Sequence, residues 1–156
     1  MLLDGLTRLG RAHNLAAPPS ARVSGGFDAG SIFPVKQLFG AARKIENGGS
    51  LTMIATATVD SASTVDALIF EELVDASNQE LRLSRELLDA GMRPAVDILA
   101  SGTRQLEHLM SPAEIALVEQ LRRTVSGGSR AEVLEQVLER LRSTQTNIEL
   151  LTQLQK

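Results

Sequence analysis

The spacing of apolar side chains changes several times along the chain, and each change marks an element. Leu2 and Leu3 followed by Asp4 read as the end of a buried strand, after which Leu6, Leu9 and Ala12 recur at helical spacing. From Asn14 to Phe33 no period holds, and Pro18, Pro19, Gly25, Gly26 and Gly30 predict a long loop, a feature that is usually functional or disordered in a compact domain. Pro34 suits the opening of a helix through Gln37, Leu38, Ala41, Ala42 and Ile45, and Gly48 stands where a left-handed terminal residue is wanted. Leu51 to Val59 is β-branched, apolar and Thr-rich without Pro or Gly, which predicts a buried strand. A polar loop from Asp60 to Thr64 follows. Ser63, with Asp66 three residues on, caps a helix over Val65 to Val74.

Leu81 and Leu83 alternate with polar residues as in a strand, Ser84 to Ala90 reads as a short helix closed by Gly91, and Pro94 to Leu99 as another short strand. The last third is helical. Ser111-Pro112-Ala113-Glu114 and Ser129-Arg130-Ala131-Glu132 each place a capping hydroxyl and a reaching glutamate three apart, and Gly127-Gly128 separates the two helices. Leu134, Val137, Leu138 and Leu141 form a stripe too short for a zipper and suited to core packing; Thr146 with Glu149 caps a final helix over Ile148, Leu151 and Leu154. Alternating strands and helices, finished by helices, predict an α/β sheet over residues 1–110 with a helical segment over 111–156.

At 156 residues the chain is one domain or a piece of a larger one, and 43% apolar with 22% charged residues excludes a disordered tail. No apolar run approaches a membrane span and no signal peptide is visible, so a cytoplasmic protein is expected. The absence of cysteine removes disulfides, thiol catalysis and thiolate zinc sites. The net charge of −3 hides an asymmetry: residues 1–50 hold six basic against three acidic side chains, and residues 51–100 hold three against nine. A polyanion is drawn to the first third, unless its Lys and Arg merely solvate helix faces.

Candidate chemistry is scattered. An aspartate ending an apolar strand, as Asp4 does, lies at the carboxyl edge of a sheet, where α/β folds bind ligands and where it can hold magnesium or its water; a turn or cap role is the plainer reading. Ser101-Gly102-Thr103-Arg104 reads as a tight polar turn after the last strand, where Arg104 presents a planar fork to a phosphate or to a carboxylate. Arg22, Val23, Gly25, Gly26 and Phe27 combine a cation, glycines and an aromatic ring, which suits either contact with a phosphate backbone or an ordinary surface loop. His13 and His108 have no ligand partners at metal spacing. There is no G-x-x-x-x-G-K-[ST] phosphate loop and no G-x-S-x-G elbow, so no complete catalytic set is present.

Several blocks in order are more specific than any of these. Leu3-Asp4-Gly5-Leu6-Thr7-Arg8-Leu9, Phe39-Gly40-Ala41-Ala42-Arg43, Gly48-Gly49-Ser50-Leu51-Thr52-Met53-Ile54-Ala55-Thr56-Ala57, Ile69-Phe70-Glu71-Glu72, Glu80-Leu81-Arg82-Leu83-Ser84-Arg85, Ser101-Gly102-Thr103-Arg104 and Thr144-Gln145-Thr146-Asn147 resemble the ATPase domain of the Rho family of bacterial transcription termination factors. The resemblance runs from Leu2 to the C-terminus. It implies part of a RecA-like P-loop NTPase core, with a mostly parallel sheet and flanking helices. It also implies a homohexameric, RNA-dependent ATPase and helicase that uses ATP and magnesium (Mg), translocates on nascent RNA and acts on the RNA polymerase elongation complex.

By that resemblance Asp4 is the Walker B aspartate acting on magnesium and the attacking water, with Arg8 beside it, and Arg104 is an arginine finger for ATP held by a neighbouring subunit. Arg22, Val23, Gly25 and Gly26 belong to the RNA-gripping pore loop, and Asp60 to Asp66, with Ser61 and Thr64, to a second one. The family carries a lysine where Thr64 stands, so one phosphate contact is lost and RNA affinity should depend less on salt. Arg93 replaces an aromatic residue that packs on adenine, and a guanidinium also stacks on a base. The family's RNA-binding domain, phosphate loop and catalytic glutamate all precede the strand on which this sequence begins, so it resembles a C-terminal fragment that neither binds ATP tightly nor hydrolyses it alone. Such a fragment would expose a sheet edge and an apolar face. A non-catalytic relic or regulator docking on intact Rho subunits through the Arg104 face is the alternative. A rotary ATP synthase subunit is a third reading, against which the Gly40 to Arg43 and Ser101 to Arg104 blocks count.

Overall fold

The computed structural model describes residues 1–18, 26–59 and 61–154, and the chain divides into two compact units, Met1–Ser77 and Asn78–Lys156. In the first unit β1 (Leu2–Leu3) runs parallel to β2 (Ile54–Ala55), with Leu2 opposite Ile54 and Leu3 opposite Ala55. Helix α1 (Leu6–Ala16) follows β1, a single 3-10 turn (Ala29–Ile32) leads into α2 (Phe33–Phe39), and α3 (Thr64–Val74) closes the unit. Leu6, Phe27, Ile32, Val35, Ile69 and Leu73 are buried together, and Leu3, Leu9, Phe39, Ala55, Val65 and Leu68 pack around them.

Because side chains alternate along a strand, Leu3 and Ala55 face this core while Leu2 and Ile54 face away, 81% and 65% exposed. That corrects the expectation of a long buried strand over Leu51 to Val59. Only Ile54 and Ala55 join the ladder, and among the described residues it is covered on one face. The predicted loop from Asn14 is shorter than expected, since α1 runs on to Ala16 and the 3-10 turn occupies residues 29–32. Helix α2 stops at Phe39 rather than near Ile45. The Gly40, Ala41 and Ala42 amides close turns there, and the left-handed residue is Asn47 (φ 56°), not Gly48. The cap of α3 forms as read, with Ser63 Oγ accepting from the Asp66 amide.

In the second unit β3 (Gln79–Glu80) pairs antiparallel with β4 (Gly102–Thr103), so Ser101-Gly102-Thr103-Arg104 contributes a strand rather than a tight turn. Leu83 makes only a bridge to Val96, and Pro94 to Leu99 forms no strand beyond it. Helix α4 (Arg85–Asp89) is capped by Ser84 and ends at Gly91, whose φ of 76° suits glycine. Helices α5 (Pro112–Val125), α6 (Arg130–Arg142) and α7 (Asn147–Gln153) complete the unit, the first two opened by full capping boxes. The Ser111 and Ser129 amides and side chains hydrogen-bond Glu114 and Glu132, holding both carboxyls below their usual range. Of the leucine stripe, Leu134 is buried, Val137 and Leu138 are half-buried and Leu141 is exposed, in keeping with core packing.

Candidate functional site

Asp4 follows β1 immediately, and its carboxylate is held at both oxygens. Thr56 Oγ1 donates to Oδ1 at 2.7 Å, and an Arg8 terminal nitrogen donates to Oδ2 at 3.1 Å. Arg8 is the fourth residue on from Asp4, one helical turn away, and folds back over Gly5 to reach it. Gly5 suits this turn because its φ is 97°, in the left-handed region. A Cβ there would lie 2.5 Å from Arg8 Nε and would push that flexible side chain aside. Both charged side chains are open to water, with Asp4 82% and Arg8 73% exposed, so their pairing orients more than it stabilises.

A second network joins α1 to the start of α3. Asp66 is buried, and Arg11 donates to both of its carboxylate oxygens while Ser61 Oγ donates to Oδ2 at 2.7 Å. The Arg11 hydrogen bonds hold the Asp66 carboxyl below its usual value against the opposing effect of burial, with the Ser61 hydroxyl assisting. Ser61 is thus anchored, while Thr64, the first residue of α3, is exposed. On the same helix α1, buried Asn14 donates to the Gly26 carbonyl at 2.8 Å and accepts from the Asp28 amide at 2.7 Å. Asn14 therefore fixes the chain where it leaves the predicted RNA loop, at Gly26 (φ 77°). Arg22, Val23 and Gly25 lie outside the described residues, as does Asp60.

In the second unit Arg104 directly follows β4; its amide donates to the Asn78 carbonyl at 2.8 Å and the residue is exposed. The segment before it is tied down from several sides. Ser101 Oγ accepts from the Arg82 amide at 2.9 Å and donates to the Asp97 carbonyl at 2.6 Å, and Arg122 of α5 donates to the Ser101 carbonyl at 2.9 Å. Asp97, nearly buried, receives Arg130 Nε at 2.9 Å. Arg93 is exposed and joined to Pro94 by a cis peptide bond.

Thr56, Asn14, Arg11 and Asp66 have structural roles at these sites that no motif announced. Asn14 and Asp66 carried a signal, being polar residues at apolar positions of a helical period; Thr56 carried none, since a Thr in a β-branched run is ordinary. Among the described residues no three His, Cys, Asp or Glu side chains gather as a metal cluster. At the end of β1, Asp4 offers a hard oxygen donor with lone pairs to spare, and magnesium is commonly held by one or two carboxylates completed by phosphate oxygens and water. Asp4 fits such an ion as one contributor, together with a nucleotide.

The arrangement of strand, terminal aspartate and crossover to a parallel neighbour is that of part of a RecA-like α/β core. A prototypical ATPase from the type III secretion system of pathogenic bacteria superimposes with a TM-score of 0.67 at 21% identity, over 87% of this chain and 40% of that one. The assembled ATPase EscN of the enteropathogenic E. coli type III secretion system does so with 0.64 at 20%, over 98% and 43%. No protein-family model matches the chain. Its sequence is 49% identical to transcription termination factor Rho of Streptomyces lividans over 100% of this chain, 50% identical to that of Micrococcus luteus over 97%, and 48% identical to that of Streptosporangium roseum over 100%. The chain spans 22%, 22% and 41% of those relatives. The 156 residues correspond to a segment of a Rho-type transcription termination factor.

Proposed function

We propose that the chain is the C-terminal portion of the ATPase domain of a cytoplasmic, hexameric RNA translocase that uses ATP hydrolysis to terminate transcription. Identity of 49% to a Rho factor along the entire chain is the observation that carries this reading. Asp4, held by Thr56 and Arg8, is the Walker B carboxylate, and Arg104 is the finger offered to ATP on a neighbouring subunit. When bound with ATP, magnesium neutralises phosphate charge. Arg104 places a guanidinium where charge develops, which acts strongly because it is organised beforehand. Arg22, Val23, Gly25 and Gly26 grip the RNA backbone, with Ser61 and Thr64 as the second contact, and Arg93 stacks on the adenine. Asn14 and Asp66 tie both loop bases to α1, the helix that begins beside Asp4.

The test is a chimera in which these 156 residues replace the aligned segment of the Streptomyces lividans relative. RNA-stimulated ATP turnover, abolished by Asp4→Asn, is expected. A chimera that assembles and binds RNA but does not turn over ATP overturns the reading, and turnover that survives Asp4→Asn removes Asp4 from the machinery. The isolated chain is expected to show no turnover.

A further inference from the structure

The polar atoms of Thr56 converge on the residues around Asp4. Its amide donates to the Leu3 carbonyl at 3.1 Å, and its carbonyl accepts from the Leu6 amide at 2.8 Å. Its hydroxyl accepts from the Gly5 amide at 2.9 Å and spends its single proton on Asp4 Oδ1 at 2.7 Å. The chain turns sharply here, with Gly5 left-handed, and α1 begins without a side-chain cap of its own. Thr56 therefore takes up two amides that a helix start leaves unsatisfied, and the same hydroxyl sets the plane of the carboxylate.

We infer that Thr56 is a positioning residue for Asp4, fixing its carboxylate through the hydroxyl while Arg8 holds the other oxygen; the catalytic part of this inference rests on the reading of Asp4 given above. The Gly5 N–H donates to the hydroxyl oxygen, so the hydroxyl proton points away from that amide, and Asp4 Oδ1 is the acceptor it meets at 2.7 Å. A methyl group of the same shape offers neither function. The geometry discriminates between Arg8 and Thr56 as supports: Arg8 is a long side chain with many rotamers, whereas Thr56 is β-branched, stiff at χ1 and anchored by its backbone hydrogen bonds to Leu3 and Leu6.

Two measurements test this. In the full 156-residue chain, amide exchange at Gly5 is expected to quicken in Thr56→Val and stay unchanged in Thr56→Ser. Leu6, whose acceptor is the backbone carbonyl, should keep its protection in both variants and so report an intact fold. In the chimera, Thr56→Val should lower kcat about ten- to hundredfold, the usual cost of losing a group that orients a functional ligand, with KM for ATP and RNA affinity little changed and Thr56→Ser restoring the rate. Equal kcat in the Val and Ser variants, in a chimera that Asp4→Asn inactivates, overturns the Thr56 inference alone. Turnover that survives Asp4→Asn overturns the underlying reading, leaving the Gly5 result to decide whether the hydroxyl holds the turn. Parallel losses of kcat, ATP affinity and RNA affinity in Thr56→Val would mark a general structural role and also overturn the inference.

Discussion

Replacing Asp66 with Asn should expose how the two ends of the first unit's polar network are held. Asp66 is 1% exposed, and its carboxylate accepts three hydrogen bonds, two from Arg11 and one from Ser61. An amide turns one acceptor into a donor that faces the Arg11 guanidinium, so at least one charge-assisted bond is lost and two donors are set against each other. Bonds to charged groups contribute about 1.5–3 kcal/mol each. Because the Arg11 side chain is 50% exposed and solvent screens it, the lower part of that range applies. A loss of about 2 kcal/mol at neutral pH follows, roughly a thirtyfold shift in the opening equilibrium.

The assay is amide exchange of the α1 and α3 peptides by mass spectrometry, which isolates this unit from the other. Its pH dependence has a definite sign. The folded-state carboxyl is lowered, chiefly by the Arg11 hydrogen bonds, so as pH falls the unfolded chain takes up the proton first, near its ordinary value of about 3.9. The contribution of Asp66 is complete above that value and is lost as pH falls through the folded one. The difference between the natural chain and Asp66→Asn should therefore shrink below about pH 4. A difference that stays constant from neutral pH down to about pH 3 would refute the charged pair as its source.

Three further outcomes are expected. Gly10→Val should destabilise the first unit by about 1–3 kcal/mol, read as lost exchange protection in α1. A Cβ there meets Ile69 Cγ2 at 3.0 Å and Ile32 Cδ1 at 3.3 Å, and both neighbours are buried. Arg104→Ala in the chimera should cut ATP turnover by about a thousandfold or more with nucleotide binding retained, since the finger acts on transition-state charge; unchanged turnover removes that role. Arg22→Ala should weaken binding to every RNA sequence alike and lower the salt slope by about 1, whereas a loss confined to certain sequences would mean base reading.

Much of the local structure was legible because it is encoded within a few residues. Ser63 with Asp66, Ser111 with Glu114, Ser129 with Glu132 and Thr146 with Glu149 each announce a helix start, and each cap forms. Asp4 was legible as a strand-end carboxylate, and the ordered blocks carried the family resemblance. Strand extents were not. Leu51 to Val59 has the composition of a buried strand, yet a strand exists only where a neighbour offers carbonyls and amides, and β1 meets it at Ile54–Ala55. The partners of Asp4 and Asp66 were equally hidden, because Thr56 and Arg11 reach them from 52 and 55 residues away.

The sequence by itself therefore determined the helix boundaries set by caps, the residue types available at Asp4 and Arg104, and the correspondence of the chain to a segment of Rho factors. The tertiary structure decided which oxygen of Asp4 meets which donor, that Asn14 and Asp66 fasten the loop bases to α1, and that Ser101 is held by Arg82 and Arg122. The division has a physical origin: caps and periods are interactions between neighbours along the chain, whereas the orientation of a carboxylate depends on donors that only folding brings within about 3 Å.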